Sequence, residues 1–221
     1  MMGPGGITLT ILHDFGLAGI VFDAVGSRSK DRATAYAKTH SIPKAYGSYE
    51  ELVADPELDI IYIATTHNAH FENAKLALSA GKNVLLEKPF TLDAAQAKKL
   101  AALAQEKDVF LMEAMWTRFL PNHVALFEKL REGLIGNPLY VIADHNQFLP
   151  KDIAPRLHDS ALGGGSLIDL GIYPISFAHR VFGMPEKIQA SASLMPGKID
   201  ESVATIFEYA EEMKEVGLKA S

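Results

Sequence analysis

Lys88 closely follows a predicted strand of a parallel sheet, at a position where a side chain could transfer a proton. Residues 84–86 (Val-Leu-Leu) are a short apolar run, which predicts a strand buried on both faces. Glu87, Lys88 and Pro89 follow at once, and Pro89 ends the strand and holds Lys88 in extended geometry. Open α/β folds bind ligands at this edge, where an ammonium with lowered proton affinity can exchange its proton near neutral pH. These residues alone leave a solvated Glu-Lys pair before a turn equally open.

An acid and a phenol later in the chain offer a second set of proton-transfer groups. Asp169 and Tyr173 are four positions apart, so on a helix they share a face. Three consecutive glycines, 163–165, precede them and favour the close approach of a ligand. An ordinary capped helix is the alternative.

The glycine-rich stretch 3–8 (Gly-Pro-Gly-Gly-Ile-Thr) is typical of a dinucleotide-binding turn, in which the backbone approaches a pyrophosphate at a helix N-terminus. Thr8 occupies a position where glycine or alanine is usual. Apolar residues at helical spacing after the turn favour a helix over a strand, although alternating apolar residues from Ile7 also fit a strand. No strand can precede the turn. The predicted cofactor contacts in this stretch are Gly3, Gly5, Gly6 and Ile7.

Residues at the end of the next predicted strand, 20–25, indicate which dinucleotide is bound. Arg28 lies 20 residues after Thr8, at a distance where an NAD-binding unit places an acid on the ribose. A guanidinium beside the Ser27 hydroxyl can instead donate to a 2′-phosphate, which predicts NADP, with NAD as the alternative cofactor. Ser27-Arg28-Ser29 could also simply start the next helix, with Ser29 as its cap.

Two histidines follow the predicted strand 60–64. His67 and His70 could be imagined as metal ligands, but no suitable third ligand is apparent nearby, so no metal site is predicted and a turn-and-cap role is favoured. The residues of this turn that we expect at the cofactor are Thr65, His67, Asn68 and His70.

Strands and helices alternate up to about residue 112, and this predicts an α/β fold with a Rossmann-like, doubly wound parallel sheet that lacks its first strand. Apolar residues 139–144 then predict the start of a mostly antiparallel sheet in an incomplete α+β domain. Strands are also expected near 187–194 and 203–209. The predicted boundaries are residues 1–115 for the dinucleotide-binding domain and 116–221 for the second domain.

Three motifs together resemble those of the glucose-fructose oxidoreductase and inositol dehydrogenase family (Gfo/Idh/MocA), especially its dimeric dihydrodiol dehydrogenase-like members. They are Glu87-Lys88-Pro89, Met112-Glu113-Ala114 with Trp116-Thr117-Arg118-Phe119, and the triple glycine with Asp169-Leu170-Gly171-Ile172-Tyr173. The resemblance runs from Gly3 to the end of the chain. Two departures are the missing first strand and the absence of much of the C-terminal sheet that usually pairs subunits.

The resemblance implies roles for individual residues. Lys88 and Tyr173 would be catalytic and Asp169 would assist them. Trp116, Arg156 and Tyr173 would line the substrate pocket, and Glu87, Lys88, Trp116 and Arg118 would contact the cofactor. The second domain would bind the substrate and form oligomers in the full-length form of the family.

These observations predict an NADP-dependent oxidoreductase that acts on a secondary alcohol of a polyol, sugar or cyclic diol. No side chain carries hydride, so a nicotinamide must supply it. The alternatives are a catalytically silent NADP-binding regulator and an inactive truncated remnant. The sequence does not name the substrate, the reaction direction or the oligomeric state.

Composition excludes other classes. The 221 residues carry a net charge of -6, which argues against a general affinity for nucleic acid or an acidic membrane. No cysteine is present, which excludes disulfides and thiolate chemistry. No run of 18 apolar residues and no leader pattern is found, so a cytoplasmic protein is expected.

Overall fold

The computed structural model describes residues 1–3, 6–17 and 19–210. The chain divides into two compact units, Met1–Ala114 and Met115–Ser221. The helices of the first unit are α1 (Gly6–Leu17), α2 (Lys30–Thr39), α3 (Tyr49–Ala54), α4 (His70–Ser79) and α5 (Ala94–Lys107). Its strands are β1 (Ala24–Gly26), β2 (Lys44–Tyr46), β3 (Ile60–Ile63), β4 (Asn83–Leu86) and β5 (Leu111–Glu113). This alternation confirms the predicted α/β class.

All paired strands of the first unit are parallel. β1 pairs with β2, and β3, β4 and β5 pair in that order, with Ile60 opposite Asn83 and Val84 opposite Leu111. Met2 joins the two groups, because it forms parallel bridges to Gly26 and to Ile63. The sheet order is therefore β2, β1, Met2, β3, β4, β5.

Met1 to Gly3 occupy the position that the sequence analysis leaves empty. The Met2 amide donates to the Tyr62 carbonyl at 2.8 Å, and the Met2 carbonyl accepts from Ala64 at 3.0 Å. Met2 is fully buried. No strand precedes Gly3 in the described residues, but a single bridging residue fills the central place of the sheet.

Side chains alternate between the two faces of the sheet, as the period of a strand requires. Ile61 and Ile63 belong to the core on the face covered by α3, α4 and α5, whereas Tyr62 belongs to the core on the face covered by α2. Burial on both faces explains why the strands appear in the sequence as continuous apolar runs.

The described residues of the second unit include two α-helices that pack on each other and one hairpin. Phe127 and Leu130 of α6 (Pro121–Arg131) form a core with Val181 and Phe182 of α7 (Ile172–Phe182). The strands β6 (Lys187–Met195) and β7 (Ile199–Glu208) pair antiparallel, with a bulge near Ser193 and Leu194. Most of their side chains are exposed.

The predicted strand at residues 139–144 is wrong. The described chain has no regular structure there, and Leu139, Tyr140 and Ile142 are at least three-quarters exposed, at 78%, 76% and 86%. A strand needs a partner for its backbone groups, and no described segment supplies one to these residues.

One helical stretch of the described residues, Ser160–Phe182, has the length and the mean hydropathy (1.2) of a membrane span. Length and composition alone do not separate such a span from a helix of a soluble protein.

Candidate active site

The turn after β4 holds Lys88 by contacts from other strands. Glu87 is buried, and its carboxylate accepts a hydrogen bond from the Tyr62 hydroxyl at 2.6 Å and from the Lys88 amide at 3.2 Å. On the far side of the turn, the Phe90 amide donates to Glu113 Oε1 at 2.8 Å. The backbone of Lys88 is therefore fixed at the carboxyl edge of the sheet, as predicted.

Burial dominates the electrostatics of this turn. It raises the pKa of Glu87, and the hydrogen bonds from Tyr62 and the Lys88 amide oppose that rise. Burial also raises the pKa of Tyr62, and the neighbouring Glu87 charge raises it further. Tyr62 therefore remains a hydrogen-bond donor to Glu87 over the whole range in which proteins are stable.

His70 links two of the loops at this edge. The ring is fully buried, with Nδ1 2.8 Å from the Pro89 carbonyl and Nε2 3.1 Å from the Thr65 carbonyl. Asn73 of the same helix donates to the Thr65 hydroxyl at 3.0 Å. His70 thus holds the turns together, as the sequence favours, but no side chain caps the start of α4. Its predicted contact with a cofactor stays a prediction.

Two neighbours of His70 were also expected at the cofactor. The His67 ring is buried and lies edge-on to His70, with centroids 5.7 Å apart. Asn68 is exposed, and its side-chain oxygen accepts from the Thr66 hydroxyl at 2.7 Å. No group of three potential His, Asp or Glu metal ligands occurs among the described residues.

Gly3 lies where the chain itself requires a glycine. Its φ of 84° lies in the region that favours glycine, and a Cβ there would approach Thr65 Cγ2 to 2.7 Å. Gly3 and Thr65 follow neighbouring positions of the parallel sheet, so both lie at the same edge as Lys88. Gly5 lies outside the described residues. Gly6 begins α1, which confirms the predicted helix, and Ile7 is half-exposed.

Thr8 has a role that the sequence analysis missed. It is fully buried, and its hydroxyl is 2.8 Å from the Tyr36 hydroxyl of α2. In a dinucleotide-binding turn the third glycine of the motif allows the following helix to pack closely against the sheet. Here a threonine takes that position, and the tyrosine satisfies its buried hydroxyl.

Ser27 and Arg28 follow β1 at the same edge. Ser27 is buried and its hydroxyl accepts from the Ser29 amide at 3.3 Å, whereas Arg28 is exposed. Ser29 caps α2 by accepting from the Arg32 amide at 3.4 Å. The cap is therefore present, and it leaves the Arg28 guanidinium in solvent, where it can receive an anion.

In the second unit, Tyr173 lies among aromatic neighbours. Trp116 Nε1 donates to the Tyr173 hydroxyl at 3.0 Å, and the His145 ring stacks on the phenol with centroids 5.0 Å apart. Indole is a donor only, so this hydrogen bond does not use the Tyr173 hydroxyl proton. The sequence analysis missed His145, because it lies 28 residues earlier in a segment without regular structure.

Asp169 and Arg156 form an ion pair, with Nη2 and Oδ1 3.1 Å apart. Asp169 is buried, and Arg156, predicted to contact substrate, reaches it from a more exposed position. Packing of the chain explains one of the three glycines before them, and the approach of a ligand to this stretch stays a prediction. A Cβ on Gly164 would approach the Leu157 carbonyl to 2.5 Å, so the chain itself, rather than a ligand, requires the glycine there.

The first unit has the features of a nicotinamide-dependent oxidoreductase, namely a doubly wound parallel sheet, a glycine turn at its central position and a fixed lysine at its carboxyl edge. Residues 10–115 match a family described as "Oxidoreductase family, NAD-binding Rossmann fold", and residues 123–216 match the "GFO/IDH/MocA C-terminal domain". The chain belongs to the Gfo/Idh/MocA oxidoreductase family, which confirms the resemblance seen in the sequence.

Relatives with curated names include trans-1,2-dihydrobenzene-1,2-diol dehydrogenases. The Xenopus tropicalis protein is 39% identical over 189 residues, which are 85% of this chain and 57% of the relative. The Bos taurus protein is 43% identical over 188 residues, 84% of this chain and 56% of the relative. The chain thus spans less than three-fifths of the length of these relatives.

Solved structures show the same fold. An oxidoreductase from Agrobacterium radiobacter in complex with NAD+, L-tartaric acid and magnesium gives a TM-score of 0.80 at 22% identity, covering 94% of this chain and 61% of that one. A putative oxidoreductase from Bacteroides fragilis gives 0.67 at 28% identity, covering 92% and 58%.

Proposed function

We propose that this chain carries the catalytic groups of an NADP-dependent oxidoreductase that transfers hydride between nicotinamide and a secondary alcohol of a polyol, sugar or cyclic diol. The observation that supports this most is the shared edge of the sheet, where the Gly3 turn and the fixed Lys88 turn both lie. The names of the dihydrodiol dehydrogenase relatives support the alcohol chemistry.

The residues at the edge fit a dinucleotide. Gly3 belongs to the turn at which a dinucleotide phosphate would lie, and Ser27 and Arg28 offer donors for a 2′-phosphate. Thr65, His67, Asn68, His70 and Glu87 lie on the neighbouring loops that would flank it, and Trp116 and Arg118 are proposed contacts from the second unit. When bound, the nicotinamide would accept or donate the hydride.

The chain itself would move the proton. Lys88 takes the hydroxyl proton in oxidation or returns one to the carbonyl oxygen in reduction, and Tyr173 shares this task. In the hydrogen bond between Trp116 and Tyr173, the indole is the donor and the phenol oxygen is the acceptor. Asp169 holds Arg156 in place, and both Arg156 and Trp116 would contact the substrate.

The test is substitution of Lys88 by methionine, which keeps most of the side-chain length and removes the ammonium. Turnover of NADP with a panel of diols and sugars, followed by absorbance of reduced nicotinamide, should fall by roughly 10²- to 10⁴-fold. The dissociation constant for NADP should change little. Tyr173→Phe, which keeps the stacked ring, should lower turnover as well.

Lys98→Met is the matched control, since Lys98 is an exposed lysine on α5 of the same unit. It should leave turnover unchanged. If Lys88→Met and Lys98→Met are equally active, Lys88 has no catalytic role. Binding of NADP without turnover of any alcohol by the unaltered protein would favour the silent regulator instead.

A further inference from the structure

A small pocket beside Tyr173 contains two arginines. It lies within the second unit, has a cavity volume of about 50 Å³, and is lined by Arg118, His123, Tyr173, Ser176 and Arg180 around the Phe127 ring. A water molecule needs roughly 10 to 15 Å³ of such volume, so the pocket has space for a group of about three to five heavy atoms. That is the size of a carboxylate or phosphate, and it is too small for a sugar ring.

The two guanidinium groups are held in place. Arg180 lies over the Phe127 ring, with Cζ 3.9 Å from the centroid, and its Nη1 donates to the Arg118 carbonyl at 3.3 Å. Arg118 Nε donates to the Ser176 hydroxyl at 3.4 Å. A guanidinium has five N–H donors, and in the described chain each of these two uses one of them in a hydrogen bond.

In the part of the chain that the structure describes, no carboxylate neutralises these two arginines. Among the described residues, neither Arg118 nor Arg180 forms an ion pair with a carboxylate. Burial lowers the pKa of Arg180, and the positive charges of Arg118 and Arg131 lower it further. Cations that disfavour one another in a partly buried place favour binding of an anion, which relieves their repulsion.

We propose that Arg118 and Arg180, with the Ser176 hydroxyl, bind a carboxylate or phosphate group of the substrate beside Tyr173. This rests on the proposed function and narrows its substrate class to acidic sugars or polyols, namely sugar acids or sugar phosphates. Arginine suits such a group because its planar fork matches an oxyanion. The reacting hydroxyl then lies on the part of the substrate that extends out of the pocket.

The first measurement is direct binding, independent of turnover. Inorganic phosphate and glucuronate are titrated into the protein while the arginine Nε–Hε signals are followed by NMR, with glucose as the neutral comparison. Phosphate and glucuronate should give saturable shifts of the Arg118 and Arg180 signals, and glucose should give none. Absence of saturable shifts overturns the proposal.

Substitutions locate the binding. Arg118→Gln and Arg180→Gln should each weaken phosphate binding by about 10- to 100-fold, the effect of losing one charge-assisted contact. Arg131→Gln removes the same charge near the pocket without lining it, and should weaken binding less than about threefold. Equal weakening in all three variants indicates a general attraction of anions and overturns the proposal. Arg118 is exposed, so its variant remains informative if Arg180→Gln is poorly folded.

Two further arms separate the sources of the anion and the two proposals. Arg118 is also a proposed cofactor contact, so the first arm repeats the phosphate titration in the presence of saturating NADP. Phosphate binding that persists through Arg180 and Ser176 supports a substrate role; loss of binding assigns the pocket to a cofactor phosphate and overturns that role. In turnover, Arg180→Gln should raise KM for glucuronate or glucose 6-phosphate at least tenfold more than KM for glucose. Equal effects on the KM values of all three substrates overturn the proposed anion site. Specific phosphate binding without turnover of any alcohol supports the anion site and counts against the proposed oxidoreductase activity.

Discussion

Stability of the 221-residue chain should depend on the ionisation of its terminal amine. Met1 is buried, and its amino group donates to the Ala24 carbonyl at 2.8 Å inside the sheet. Burial lowers the pKa of this amine from 8.0 to about 5. The perturbation is to compare the protein with a free amine and the protein with an acetylated N-terminus, which has no titrating group there.

The sign follows from proton binding. Between pH 8 and pH 5 the unfolded chain carries a proton on the amine and the folded chain does not, so the free energy of unfolding falls as the pH is lowered. This loss of stability is absent above pH 8 and reaches its full size below pH 5. Three pKa units correspond to about 4 kcal/mol, since each unit is equivalent to about 1.4 kcal/mol.

Thermal unfolding measured at several pH values between 5 and 8.5 tests this. A penalty of that size lowers the melting temperature by roughly 8 to 16 °C in a protein of this length. Histidines and carboxylates titrate equally in both proteins, so only the difference between their pH profiles reports on Met1. Any packing cost of the acetyl group is the same at every pH. Parallel profiles would show that the amine is solvated and that Met2 does not occupy the centre of the sheet.

Three other substitutions test the first unit. Arg28→Asp should weaken NADP by roughly 1.5 to 3 kcal/mol relative to NAD in fluorescence titrations, and equal weakening of both cofactors would remove Arg28 from the 2′-phosphate site. Hydrogen bonding from Lys44 lowers the pKa of Asp55 to about 2, so its stabilising effect should be lost as pH falls from about 4 to 2. Asp55→Asn should abolish that part of the acid profile in urea unfolding, and an unchanged profile would contradict the ion pair. Tyr62→Phe removes a buried donor to Glu87 and should cost about 1.5 to 3 kcal/mol at pH 8. The cost should shrink near pH 4, where protonated Glu87 no longer needs the donor, and a pH-independent cost would contradict this reasoning.

Local patterns predict most of the first unit because local rules decide it. The apolar run 84–86 lies within β4, and helix α1 begins at the glycine-rich turn as expected. Strand starts are less well predicted. The strand expected from residue 20 begins at Ala24, because Ile20 and Val21 are exposed outside the sheet, and apolar residues at an edge look like buried ones in a sequence.

The second unit shows where such patterns fail. Apolar residues 139–144 have the composition of a strand, but a strand is defined by pairing with another segment, which periodicity alone does not reveal. The pairing of Met2 could not be predicted from the sequence for the same reason. A single residue bonded on both sides takes the central place of the sheet, and two methionines followed by a glycine carry no strand signal.

The Lys88 turn shows why the placement of a proposed catalytic lysine depends on residues far from it in the sequence. Its lysine and proline are adjacent, but the donor to Glu87 comes from β3, the ring against Pro89 from α4, and the acceptor for Phe90 from β5. Each of these partners is fixed by the parallel order of the strands, so the turn keeps its geometry only while the sheet does. A change such as Tyr62→Phe should therefore lower turnover through Lys88 although the tyrosine is buried and hydrogen-bonded to Glu87. The sequence shows which residue could transfer the proton, and the sheet determines whether it is held where it can.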